Sequence, residues 1–239
     1  MKTKNYLYLL IILLMVNACK KHATNAETSY QTLGTYDTSG KPNNLLKDSI
    51  SSSLLSFVDS TLPNGIDLRI KHPEFFNSTA IADITITQPS DVYTTFVSGI
   101  SGLSNSIAFY TYPTNKPPTS ATDIKLITYV FPHTGGLFSP LHPGDKVKIG
   151  RFDVGTSVGF VLLQSAWNLN SHTLDNNTAH FFTTDALNPE MDPNLKKHVV
   201  LINYPPENKV LICFKDTNRS LPECDNDFND VVIYCTVTP

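Results

Sequence analysis

Residues 209–214, KVLICF, and residues 231–237, VVIYCTV, flank the polar stretch 215–230, KDTNRSLPECDNDFND. Both flanking runs are apolar, rich in β-branched residues, too short for a stable helix and bounded by turn-forming residues, so they read as strands. The same pattern recurs toward the N-terminus in 198–202 (HVVLI), 156–164 (TSVGFVLLQ), 146–149, 124–131 (IKLITYVF), 106–112 (SIAFYTY) and 92–97 (VYTTFV). Residues 81–87 alternate, with Ile84 and Ile86 on one face and Asp83, Thr85 and Thr87 on the other. Turn clusters at 113–118, 133–136, 143–145 and 205–208 punctuate the series. About nine strands with no alternating helices predict an all-β fold, an antiparallel β-sandwich of jelly-roll-like form. No fixed repeat is visible, which argues against a propeller or solenoid.

One helix is expected just ahead of the sandwich. Asn44 is placed to cap it, Leu45, Leu46, Ile50, Leu54, Leu55 and Val58 follow helical spacing, and Pro63-Asn64-Gly65 ends it. The 239 residues are 41% hydrophobic and 16% charged, which supplies a core and excludes a wholly disordered chain. Eighteen Lys and Arg against 21 Asp and Glu give a net charge of −3. No basic excess exists to neutralise a phosphate backbone, so no nucleic-acid partner is expected.

The N-terminus carries Lys2 and Lys4, then the apolar run 6–16 (YLYLLIILLMV), then Asn17, Ala18 and Cys19. That order predicts a secretory signal peptide rather than a membrane span. Residues 16–19, VNAC, resemble a bacterial lipobox. The resemblance implies cleavage before Cys19, lipid on its thiol, and an outer-membrane lipoprotein anchored to the membrane without crossing it. Lys20 and Lys21 give no acidic export tag, which favours the periplasmic face over the outer one. Removing residues 1–18 leaves 16 basic and 21 acidic residues, a charge of −5. The expected organisation is a signal peptide at 1–18, a lipidated flexible tether at 19–43, a helix at 44–60 and a sandwich domain at 61–239.

The densest chemistry lies in 215–230. Asp216, Glu223, Asp225, Asp227 and Asp230 stand in one inter-strand loop with Asn218, Asn226 and Asn229. Crowded carboxylates need either solvent or a cation, and hard oxygen donors at two-residue spacing suit Ca²⁺. Asp225-x-Asp227-x-Asn229 matches the opening of an EF-hand loop, but Asp230 stands where its glycine belongs and Thr236 where its glutamate belongs. The expected calcium ligands are Asp216, Asp225, Asp227, Asn229 and Asp230. The competing reading is a solvated acidic turn with Asx caps.

Residues 214–219 (FKDTNR) followed by 225–232 (DNDFNDVV) resemble the signature of LruC-type domains, exported bacterial lipoprotein and adhesin-associated domains of largely unassigned function. Further blocks at 72–74 (HPE), 107–112 (IAFYTY), 143–147 (PGDKV), 155–159 (GTSVG) and 187–190 (LNPE) extend the likeness over about residues 62–238. The resemblance implies an all-β envelope domain with a Ca²⁺-stabilised Asp loop. It implies neither a ligand nor a reaction. Lys215 departs from the pattern, standing where such domains usually carry Glu. Strand alternation sets it opposite to Asp216.

The sequence contains no HExxH, GxSxG or Gly-rich phosphate loop. Trp167, the single tryptophan, reads either as a cover for one end of the core or as a sugar-stacking platform. Cys213 and Cys235 read as buried strand cysteines or as one disulfide, with Cys224 left over. The expected function is a non-enzymatic envelope lipoprotein for adhesion or surface interaction, with a glycan or protein as ligand. A carbohydrate-binding module and an envelope hydrolase are the alternatives.

Overall fold

The structure is a computed structural model that describes residues 27–77 and 82–239. The signal peptide, Cys19 and residues 19–26 of the expected tether lie outside the described residues. In chain order the first elements are β1 (Ser29–Thr32), β2 (Leu46–Lys47), helix α1 (Ser52–Thr61), the single-turn helix α2 (Leu68–Lys71), β3 (Ile84–Thr85), β4 (Ser90–Ser98), β5 (Ser106–Pro113) and β6 (Leu126–Phe131). Then follow β7 (Asp145–Phe152), β8 (Thr156–Leu163), β9 (Trp167–Asn168), β10 (Thr173–Leu174), β11 (His180–Phe182), β12 (Val199–Tyr204), β13 (Lys209–Phe214) and β14 (Val231–Thr238).

Two sheets form a sandwich. One runs β1-β6-β5-β8-β11, with β3 also pairing β8; the other runs β12-β13-β14-β4-β7-β2. β9 and β10 make a separate ribbon. Among the described residues every strand pairing is antiparallel except β1 with β6, which is parallel. Phe96, Phe109, Phe131, Phe160, Phe214 and Ile233 fill the space between the sheets.

Both outer faces are covered as well. Leu54 and Val58 of α1 lie on Leu211, Cys213, Val232 and Tyr234 of the second sheet. On the first sheet, Ile124 and Leu187 cover Ala108, Tyr110, Val161 and Leu163. Strands buried on both faces read as continuous apolar runs, which is why KVLICF and VVIYCTV lack polar alternation. Cys213 pairs with Val232, and Cys235 lies three residues further along β14, hence on the other face of the sheet. Cys213, Cys224 and Cys235 are accordingly free thiols.

Two expected boundaries shift. The helix begins at Ser52, not Asn44: the Ser51 hydroxyl accepts from the Leu54 N–H at 3.0 Å and caps it. Leu46, expected on the helix, instead pairs with Lys146 as part of β2. Residues 27–43 do not hang free as a tether. Residues 29–32 zip in parallel along β6, and Gly40, at φ +84°, lies against His133 and the Trp167 ring. Among the described residues, no helix is long and apolar enough to cross a membrane.

Candidate cation centre in the C-terminal loop

The loop between β13 and β14 returns to its own starting point. The Lys215 N–H donates to the His198 carbonyl at 2.9 Å, and the Lys215 carbonyl accepts from His198 Nδ1, also at 2.9 Å. Lys215 therefore leaves the end of β13 with its main chain clamped on both sides. Further along the loop, Asn226 and Phe228 both take left-handed φ values, 57° and 56°. A bulky residue is rarely found there, and packing must hold it. The Phe228 ring is fully buried, edge-on to Phe76 at 5.3 Å, with the Arg219 guanidinium 5.4 Å from its centre.

This curl gathers the carboxylates around one side chain. Lys215 Nζ lies 2.7 Å from Asp225 Oδ1, 2.7 Å from Asp230 Oδ2, 3.1 Å from Asp227 Oδ1 and 4.0 Å from Asp216 Oδ1. An ammonium has three N–H donors, and three carboxylates stand at hydrogen-bond distance. Several oxygens of the set are also engaged by other protein groups. Asp216 Oδ2 accepts from Ser101 Oγ and, at 2.6 Å, from Asn105 Nδ2. Asp227 Oδ2 accepts from the Gly65 N–H at 2.9 Å, and Asp230 Oδ2 from the Asp216 N–H at 2.8 Å.

Four of the five expected metal ligands are thus brought together. Asn229 is not among them: its amide donates to the Leu62 carbonyl at 3.1 Å and ties the loop to the end of α1. Glu223 is exposed and stands apart. Ser101, Asn105 and Gly65 complete the site without any spacing signal, because they come from distant segments. Their only mark in the sequence is a turn-rich composition.

The charges explain one another. Burial pulls the Lys215 pKa down, but the charges of Asp230, Asp225 and Asp227 outweigh it and hold it above the ordinary lysine value. Burial lifts Asp225, yet its contact with Lys215 prevails and leaves it below the usual carboxylate value. Burial raises Asp227, and burial together with the neighbouring Asp216 pushes Asp230 up to about 8. Four carboxylates about one ammonium carry surplus negative charge, and Asp227 and Asp230 are shifted toward the neutral form.

A second buried pair braces this centre. His198 Nε2 lies 2.8 Å from Glu190 Oε1, and both side chains are fully buried. Nδ1 donates to the Lys215 carbonyl, which leaves Nε2 facing the carboxylate. Burial lifts the Glu190 carboxyl, but the hydrogen bond and charge of His198 bring it below its ordinary value. The His198 ring also stacks on Phe181 at 4.1 Å.

Calcium takes six to eight oxygens at about 2.3–2.6 Å. Here four carboxylate oxygens converge, and the Lys215 ammonium stands at their meeting point. The donor set does not fit a calcium ion with Lys215 in this position. Among the described residues, no group of three or more His, Cys, Asp or Glu side chains is arranged to hold a metal ion.

Trp167 is not a sugar platform. It is buried, stacked near His133 at 5.9 Å and met edge-on by Tyr36 at 5.5 Å. An open groove lies elsewhere, along the end of β5, the start of β6 and the connection between them. Its volume is 940 Å³, and its lining includes Phe109, Tyr112, Phe152, Lys116, Asp123 and Gln31.

Residues 152–238 match a family described as a domain of unknown function, DUF4114. The match spans β8 to β14 and contains the Lys215 cluster and the Glu190–His198 pair. No curated protein and no solved structure matches the chain.

Proposed function

We propose that this chain is a non-enzymatic recognition module of the bacterial cell envelope, an LruC-type sandwich held on the membrane by lipid at Cys19 and adhering to glycans through the β5–β6 groove. The groove carries the reading. Its 940 Å³ lies within the range of ligand-binding clefts and leaves room for a short oligosaccharide. Tyr112 and Phe152 supply apolar ring surface, which suits the C–H faces of sugars, while Gln31, Lys116 and Lys125 supply hydrogen-bonding groups for hydroxyls.

Tyr112 is half-buried and pre-set. Its hydroxyl donates to Asp83 at 2.7 Å, and its ring stacks on Tyr110 at 6.1 Å. Asp123, the carboxylate of the lining, accepts from the Thr119 and Ser120 N–H groups at 2.9 and 3.0 Å. It is engaged in holding the loop, which favours binding over acid–base chemistry. The lipid anchor rests on residues 16–19, and envelope placement follows from it.

The test is a panel of immobilised oligosaccharides probed with the wild type and Tyr112→Ala. The wild type should bind a subset, and the variant should bind it at least about tenfold more weakly. Binding that is equal in both proteins, or absent from both, would refute the groove as a glycan site.

A further inference from the structure

We propose that Lys215 is the resident cation of the C-terminal acidic loop and takes the place of a metal ion, so that this domain holds its fold without calcium. Lys215 is the first residue after β13, and Asp225, Asp227 and Asp230 lead into β14. Its ammonium contacts all three at 2.7–3.1 Å, so one side chain pins the far end of the loop to its beginning. That is the task a bound ion performs in a calcium loop: neutralise converging carboxylates and fix the chain between them.

The surroundings suit an internal cation better than an exchangeable one. The Lys215 side chain is 4% exposed, so a calcium ion would first have to expel a buried ammonium into solvent. It would then find four convergent oxygens, short of the six to eight it takes. Of the remaining oxygens, those of Asp216 and Asp227 already accept from Ser101, Asn105 and Gly65, so the protein itself engages them while Lys215 is in place. The His198 clamp on both main-chain groups of Lys215 opposes withdrawal of the residue. A glutamate at 215 would add a carboxylate where this chain has an ammonium. The single position 215 therefore decides whether the loop needs an outside cation.

The experiment compares thermal melts of the full chain in detergent, as wild type and as Lys215→Gln, in EDTA and in millimolar CaCl₂. The wild-type curves should superimpose. Lys215→Gln, with the carboxylates left uncompensated, should melt lower in EDTA and recover by roughly 5 °C in calcium. A calcium-dependent rise in the wild type would overturn the proposal. So would a Lys215→Gln protein that melts like the wild type in both buffers. Should the variant fail to fold, equilibrium dialysis of the wild type against ⁴⁵Ca²⁺ decides alone: no stoichiometric binding supports Lys215 as the cation, and one bound ion per chain refutes it.

Discussion

Gly40→Ala tests whether residues 27–43 belong to the folded domain or hang as a tether. Gly40 has φ +84°, and a Cβ placed there would stand 2.7 Å from His133 Cβ and 3.1 Å from the Trp167 ring. The left-handed conformation costs an L-residue about 1–2 kcal/mol, and overpacking adds about 1–3 kcal/mol. The sum, roughly 2–5 kcal/mol, lowers the melting temperature of a domain of this size by about 5–15 °C. The loss cannot exceed what docking of the segment contributes, because the segment can detach instead. Detachment is visible, since Trp167 is the single tryptophan of the chain and is 2% exposed. Its emission should shift to the red. Gly155→Ala is the control: Gly155 has φ +83°, but a methyl group there would meet nothing within 4 Å, so it carries the backbone cost without the clash. If Gly40→Ala melts with Gly155→Ala and leaves the emission unchanged, the segment is not docked on Trp167.

Further outcomes follow from the same structure. Leu54 is fully buried under α1, so Leu54→Ala should cost about 2–5 kcal/mol in a denaturant melt; no change would detach the helix from the sheet. Asp230 has its pKa raised from 3.8 to about 8, so its contribution is fully present below about pH 4 and is lost as pH rises through about 8. Stability should therefore decline across that window by up to about 1.4 kcal/mol per pH unit, and Asp230→Asn should flatten the decline in melts from pH 5 to 8. A slope unchanged in the variant would assign it to other groups. Metabolic labelling with a fatty-acid probe should mark the wild type and not Cys19→Ser; equal labelling would place the lipid elsewhere.

The main strands were legible because they are buried on two faces, which gives runs such as KVLICF and VVIYCTV their unbroken apolar character. The short ones were not. Residues 29–32, SYQT, have no apolar pattern and become a strand only because β6 offers an edge. Leu45 and Leu46 mimic the first turn of a helix, yet pairing with β7 and the Ser51 cap decide otherwise.

In the loop, residue type was informative and spacing misled. Two-residue spacing puts Asp225, Asp227 and Asn229 on one side only if the backbone stays regular. The left-handed turns at Asn226 and Phe228 break that phase, and Asn229 faces Leu62 instead. Lys215 was visible as a departure from the resembling pattern, but strand alternation placed it away from Asp216. Because the chain leaves the strand at that point, a long flexible side chain can turn into the cluster. Ser101, Asn105 and Gly65 carry no local signal, since only the fold brings them to the loop.

A buried lysine ammonium organises the C-terminal loop. The most direct measurement is side-chain ¹⁵Nζ NMR of the lysines, with Lys215 assigned by its loss in Lys215→Gln. One ammonium should exchange its protons slowly with water, and its resonance should be unmoved by millimolar calcium. A Lys215 ammonium that exchanges as fast as the surface lysines, or that shifts when calcium is added, would contradict it.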